Sequence, residues 1–96
     1  MPLGTKTWLY TKSIVKLERD EYGVYELLDG SYDTIYIGYG KIQSCLLKHF
    51  EDETHPISGV RLFSIEYTWT GEKSEQRYKQ ELAKYYQEHG RYPKFN

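Results

Sequence analysis

The chain has one cysteine, three prolines and one methionine, and it lacks both a long apolar run and a charge excess of either sign. A single cysteine excludes an internal disulfide framework and a cysteine-based zinc site, and it fits a reducing cytoplasm. No stretch approaches the roughly 20 apolar residues of a membrane span, so no membrane partner is expected. Met1-Pro2-Leu3-Gly4 offers neither the charged nor the apolar region of a signal peptide, so no leader is expected there. Three prolines and eight glycines are too few for a linker-dominated or disordered chain. The net charge of −1 lacks the basic excess of a dedicated nucleic-acid binder, although a local basic face remains open. At 96 residues the chain supports one core, so 1–96 is expected to be a single domain.

What the chain does have is tyrosine: eleven, against two tryptophans and three phenylalanines. A tyrosine can fill a core with its ring while its hydroxyl reaches water or a phosphate.

Residues 1–21 form a weakly periodic lead-in in which Ser13–Arg19 reads equally as one helical turn or as irregular chain. From Tyr22 the pattern sharpens. Tyr22–Leu28 is rich in strand formers and ends at the turn signal Asp29-Gly30-Ser31, and Thr34–Gly38 reads as a second strand. The short connection makes the two an antiparallel hairpin with a loop of more than two residues. Ile42, Cys45, Leu46, His49 and Phe50 then recur at the spacing of one helix face. Val60 to Trp69 alternates as a third strand, with Phe63, Ile65, Tyr67 and Trp69 on the apolar side. From about Glu72 to His89 there is neither Gly nor Pro, and Tyr78, Leu82, Tyr85, Tyr86 and His89 form a stripe that Gly90 and Pro93 terminate. The expected fold is α/β: a small three-stranded antiparallel sheet flanked by helices, in β-β-α-β-α order over 22–96.

The hairpin carries Gly23-Val24-Tyr25 on its first strand and Tyr36-Ile37-Gly38 on its second. This pairing resembles the signature of the GIY-YIG nuclease superfamily, in which the two tripeptides sit on adjacent strands about ten residues apart. The closing Pro93-Lys94-Phe95-Asn96 is similar to that family's terminal Pro-x-Tyr/Phe-Asn. The resemblance spans Tyr22 to Asn96 and implies a metal-dependent endonuclease that hydrolyses phosphodiesters, with DNA as partner and one divalent ion, Mg²⁺ or Mn²⁺, as cofactor. It implies Tyr25 and Tyr36 at the attacking water and His49 beside them. An arginine would neutralise phosphoryl charge and a glutamate would hold the metal. Gly38, Lys41, Lys48, Arg77 and Asn96 are the implied nucleic-acid contacts.

Two departures stand beside these matches. The place of the family's catalytic arginine is taken by Cys45, and a neutral thiol lacks the permanent charge and bidentate reach of a guanidinium. At the place of the metal glutamate fall Tyr78 and Lys79. The nearest carboxylates are Glu75 and Glu81, of which Glu75 is expected to face the sheet and is the preferred ligand, with Glu81 second.

Each of these residues also has a plainer role. Tyr25 and Tyr36 can pack a small sheet, Cys45 and His49 can be core residues, and Glu75 can favour a helix start. Lys41, Lys48, Arg77 and Lys84 can be solvated helix residues. Three functions therefore stay open. One is an endonuclease with an incomplete site. Another is an inactive module of the same fold that binds nucleic acid or a protein partner. The third is a small protein self-associating through its tyrosines.

Overall fold

The structure, a computed structural model, describes residues 6–96, so the expectation about the opening Met1–Gly4 lies outside the described residues. The elements in chain order are β1 (Trp8–Leu9), α1 (Lys12–Val15), β2 (Tyr22–Leu28), β3 (Thr34–Lys41), α2 (Ile42–Leu47), β4 (Leu62–Tyr67) and α3 (Gly71–His89). The fold is α/β, but the expected three strands and β-β-α-β-α order are corrected. Four antiparallel strands lie in the order β1-β4-β2-β3, and the lead-in supplies both β1 and α1. A two-residue strand carries no periodicity to read. Its pairing of Trp8 with Phe63 and Leu9 with Leu62 is what makes it one.

Strand β2 lies between β3 and β4, and both of its faces are covered. Gly23 through Leu28 are all buried, which is why this stretch lacks the apolar–polar alternation of a half-exposed strand. On one face Tyr25 and Leu27 pack with Val15, Ile35, Ile42, Leu46, Ile57 and Phe63. On the other, Val24 and Ile37 pack against Tyr85, Tyr78 and Leu82 of α3. The hairpin turn is held by the Asp29 carboxylate, which accepts from the backbone N–H groups of Ser31 (2.8 Å) and Asp33 (3.1 Å).

Helix α2 is shorter than its apolar spacing predicts, ending at Leu47, yet His49 and Phe50 still turn inward. Its first turn lacks a local cap. The Asp20 carboxylate instead accepts from Ser44 N and Oγ, each at 2.9 Å. In α3, Thr70 Oγ1 accepts from Lys73 N, and Gly90 takes the left-handed φ of 71° expected of a helix stop. The inward face of α3 runs through Ser74, Tyr78, Glu81, Leu82 and Tyr85, while Tyr86, placed in the stripe by its spacing, is exposed. Trp69 also leaves its expected stripe. It follows β4 with φ 70° and is 55% exposed.

The C-terminal segment closes the outer edge of β3. Phe95 N donates to Ile35 O, and the Asn96 amide pairs with both backbone groups of Ile37, each at 2.9 Å. An otherwise open row of ladder groups is thereby satisfied.

Candidate functional site

Tyr25 and Tyr36 project from the face of the sheet that α2 covers, with ring centroids 6.1 Å apart. Gly38 is the register partner of Tyr25, and a Cβ there would collide with the tyrosine's ring and hydroxyl. The tyrosine lies across the space a side chain would fill. Gly38 is buried, and what approaches its backbone on this face is the Tyr25 ring. Gly40, at φ 134°, plays the same part for Cys45, whose Sγ would stand 2.8 Å from a Cβ at that position.

The Tyr25 hydroxyl lies 2.7 Å from His49 Nε2, and His49 Nδ1 lies 2.8 Å from the carbonyl oxygen of His55. A carbonyl oxygen only accepts, so Nδ1 carries the imidazole proton. Nε2 therefore presents its lone pair, and Tyr25 donates to it. His49 is fully buried, and burial is the main cause holding its pKa down at about 4. The imidazole is therefore neutral across the physiological range. Burial likewise pushes the Tyr25 hydroxyl far above an ordinary phenol, with Cys45 and Tyr36 adding to the effect.

Cys45 adjoins Tyr25 and Tyr36, and Asp20 and Tyr78 act from a distance. Tyr36 is raised by burial and then by the Tyr78 phenol. Cys45, on α2, is raised by burial against the lowering influence of Lys48, and its thiol donates to Tyr39 O at 3.7 Å. Asp20, whose charge also acts on Cys45, is held by Ser44. Tyr78 comes from α3, on the other face of the sheet, and its ring lies 4.7 Å from that of Tyr39 on the edge strand β3. Sequence reasoning missed His55, whose ring lies 5.0 Å from that of His49 and 6.1 Å from that of Tyr36.

The expected metal ligands do not converge here. Glu75 is exposed rather than facing the sheet and is paired with Lys79 Nζ at 3.6 Å. Glu81 is buried, with its Oε1 3.0 Å from Arg77 Nη2. The orientation expected of the two acids is therefore reversed. Arg77 sits one turn before Glu81, which allows a carboxylate on the inward face. Among the described residues no group of three or more His, Cys, Asp or Glu side chains could hold a metal ion. The residues present do not fit Mg²⁺ or Mn²⁺.

The expected nucleic-acid contacts also divide. Arg77 is consumed by Glu81 and by Glu66, whose Oε2 stands 2.8 Å from Arg77 Nη2 and 2.9 Å from Nε. Asn96 is consumed by Ile37. Lys41 is exposed, with Nζ 5.7 Å from the centroid of the Tyr22 ring, and Lys48 lies near enough to act on Cys45 and His49. A concavity of about 710 Å³ opens on the far side of His49, between Tyr10, Phe50, Ile57 and Arg61, and Tyr25, Tyr36, Cys45 and Tyr78 do not line it.

The assembled site joins two phenols, a thiol, the neutral His49 imidazole and the ring of His55, with the Asp20 carboxylate and Lys48 at its margin. Because the Tyr25 hydroxyl is spent on His49, the half-buried Tyr36 is the phenol placed to meet an anion. No family model, no curated protein and no solved structure matches the chain. Among the described residues no helix is long and apolar enough to cross a membrane.

Proposed function

We propose that this chain is a GIY-YIG-like domain that binds DNA without hydrolysing it. The observation that carries the reading is the composition of the cluster. Tyr25, Tyr36 and His49 stand together, while the thiol of Cys45 holds the place of the arginine and Tyr78 or Lys79, neither of them an acid, that of the glutamate. The Tyr25 hydroxyl is spent on His49, so it is the half-buried Tyr36, with Lys41 and Lys48 on the flanks of α2, that suits a phosphate oxygen in its ground state. Binding substrate and transition state about equally gives affinity without rate.

A second reading is an endonuclease of the same fold whose missing arginine and metal-holding carboxylates are both supplied by a partner protein.

Fluorescence anisotropy with duplex, branched and single-stranded DNA, run beside cleavage assays with and without Mg²⁺ or Mn²⁺, separates these readings. The expected result is salt-dependent binding, with the log–log salt slope reduced by about 1.5 in Lys41→Ala/Lys48→Ala, and no cleavage. Metal-dependent cleavage that disappears in Tyr25→Phe would overturn the binding-only reading in favour of the second. Absence of DNA binding under all conditions would sink both.

A further inference from the structure

His55 lies in the loop that follows α2, and its backbone is clamped from both sides. Its N–H donates to Lys48 O at 2.9 Å, and its carbonyl oxygen lies 2.8 Å from His49 Nδ1. The clamp fixes where the side chain stands. The imidazole sits edge-on to Tyr36, with centroids 6.1 Å apart and planes at 86°, and its centroid is 5.0 Å from that of His49. His55 is nevertheless exposed, and its ring makes no hydrogen bond among the described residues. The two histidines therefore differ in kind. His49 is buried and stays neutral, with burial as the main cause holding its pKa down at about 4. An imidazole open to water escapes that penalty for carrying charge.

The charges around His55 favour an anion. Positive charge on His55 and on Lys48, at the end of α2, is felt by His49. The three acids of the same loop turn elsewhere. Glu51 lines the concavity on the far side of His49, Asp52 is paired with Lys12 Nζ at 2.8 Å, and Glu53 also acts on Lys12. From β3 the neighbour is the Tyr36 phenol, and from α2 it is the Cys45 thiol, both raised by burial and so uncharged. Asp20, the carboxylate that acts on Cys45, is spent on Ser44 N and Oγ.

We propose that His55 is a phosphate-binding residue of this site: in its protonated form it joins Tyr36 and Lys48 on one DNA phosphate, so that the domain holds DNA more tightly as the pH falls. The inference rests on the DNA-binding reading above and deepens it by making that binding proton-dependent. An imidazolium adds a charge-assisted hydrogen bond that a neutral imidazole lacks, and the phosphate in turn favours the protonated form. His49 takes no part in this, because Tyr25 occupies its Nε2 and the His55 carbonyl its Nδ1.

Fluorescence anisotropy with one labelled duplex, at pH 8 and at about pH 6, spans the range over which histidine side chains gain their proton. Far-UV circular dichroism confirms the folded state at both values. Binding is expected to be about tenfold tighter at the lower pH, with a log–log salt slope steeper by about 0.9, the mark of one more phosphate contact. His55→Gln should bind alike at both values, as weakly as the parent does at the higher. His55→Lys carries a fixed charge and should bind at the higher pH as tightly as the parent does at the lower, a gain that a damaged loop cannot produce. His89→Gln, on the other face of the sheet and stacked on Tyr85, should keep the parent's response. Equal binding by the parent at both values would overturn the inference and leave the DNA-binding reading standing. So would a response retained in His55→Gln or lost in His89→Gln, or a His55→Lys no tighter than His55→Gln. No DNA binding at either pH would remove both this inference and the reading beneath it.

Discussion

The Tyr25 hydroxyl donates to His49 Nε2 at 2.7 Å inside the core, joining strand β2 to the turn after α2 across 24 residues of sequence. Both partners are buried, and His49 spends its other nitrogen on the His55 carbonyl. The pair is fully satisfied only as a unit, with a neutral imidazole and a protonated phenol.

Tyr25→Phe keeps the ring over Gly38 but leaves the His49 lone pair buried without its donor. The expected loss is about 1–3 kcal/mol of stability, the cost of an unsatisfied buried acceptor. For a domain of this size that lowers Tm by about 4–8 °C for each kcal/mol. Thermal or urea unfolding checks it. A change within about 0.5 kcal/mol, as for an ordinary surface substitution, would mean the bond contributes nothing.

Stability should fall as the solution is acidified. His49 has a pKa lowered from 6.5 to about 4 in the folded chain. Below the upper value the unfolded chain takes up a proton that the folded chain refuses, so stability drops between pH 6.5 and pH 4 and this loss is complete below the lower value. The full effect is about 3 kcal/mol at 1.36 kcal/mol per pKa unit. Urea unfolding at a series of pH values should show this drop, and His49→Gln should flatten it. A profile equally steep in the variant would place its origin elsewhere.

Gly38→Ala forces a methyl group into the ring of Tyr25. Overpacking of this kind costs about 1–3 kcal/mol. It should also displace the hydroxyl from His49, so the pH dependence just described should change with it. The His49 imidazole resonances followed by NMR would report the displacement, and unaltered resonances together with unaltered stability would refute the close approach.

Asn96→Ala removes two hydrogen bonds from the edge of β3. At about 0.5–1.5 kcal/mol for each bond, the expected cost is about 1–3 kcal/mol, with faster amide exchange at Ile37. Unchanged protection at Ile37 would show that the C-terminal segment does not close that edge. Because the Asn96 side chain is spent on this edge, the variant should bind DNA as tightly as the parent once both are folded.

The hairpin and its turn were legible because the signals are local. Strand formers flank Asp29-Gly30-Ser31, and the carboxylate that shapes the turn is the first of those three residues. The stop at Gly90 was legible for the same reason, since a left-handed residue with no Cβ is a local requirement. The orientation of α3 was not. Its tyrosines and His89 gave an apolar axis on which Glu75 seemed central, but the buried face passes through Ser74, Glu81 and Tyr85 instead. An amphipathic pattern cannot foresee that a carboxylate one turn from Arg77 will be taken inside.

By itself the sequence determined the hairpin, the placing of the two tripeptides on its paired strands, the end of α3, and the absence of an arginine at Cys45. The tertiary structure alone decided that Trp8 and Leu9 form a strand, that Asn96 seals β3, that Arg77 is spent on acids and that Tyr78 packs on Tyr39. The division has one physical cause. Turn chemistry and helix stops depend on neighbours in the chain, whereas edge pairing, ion pairing and the convergence of side chains depend on which surfaces meet once the chain has folded.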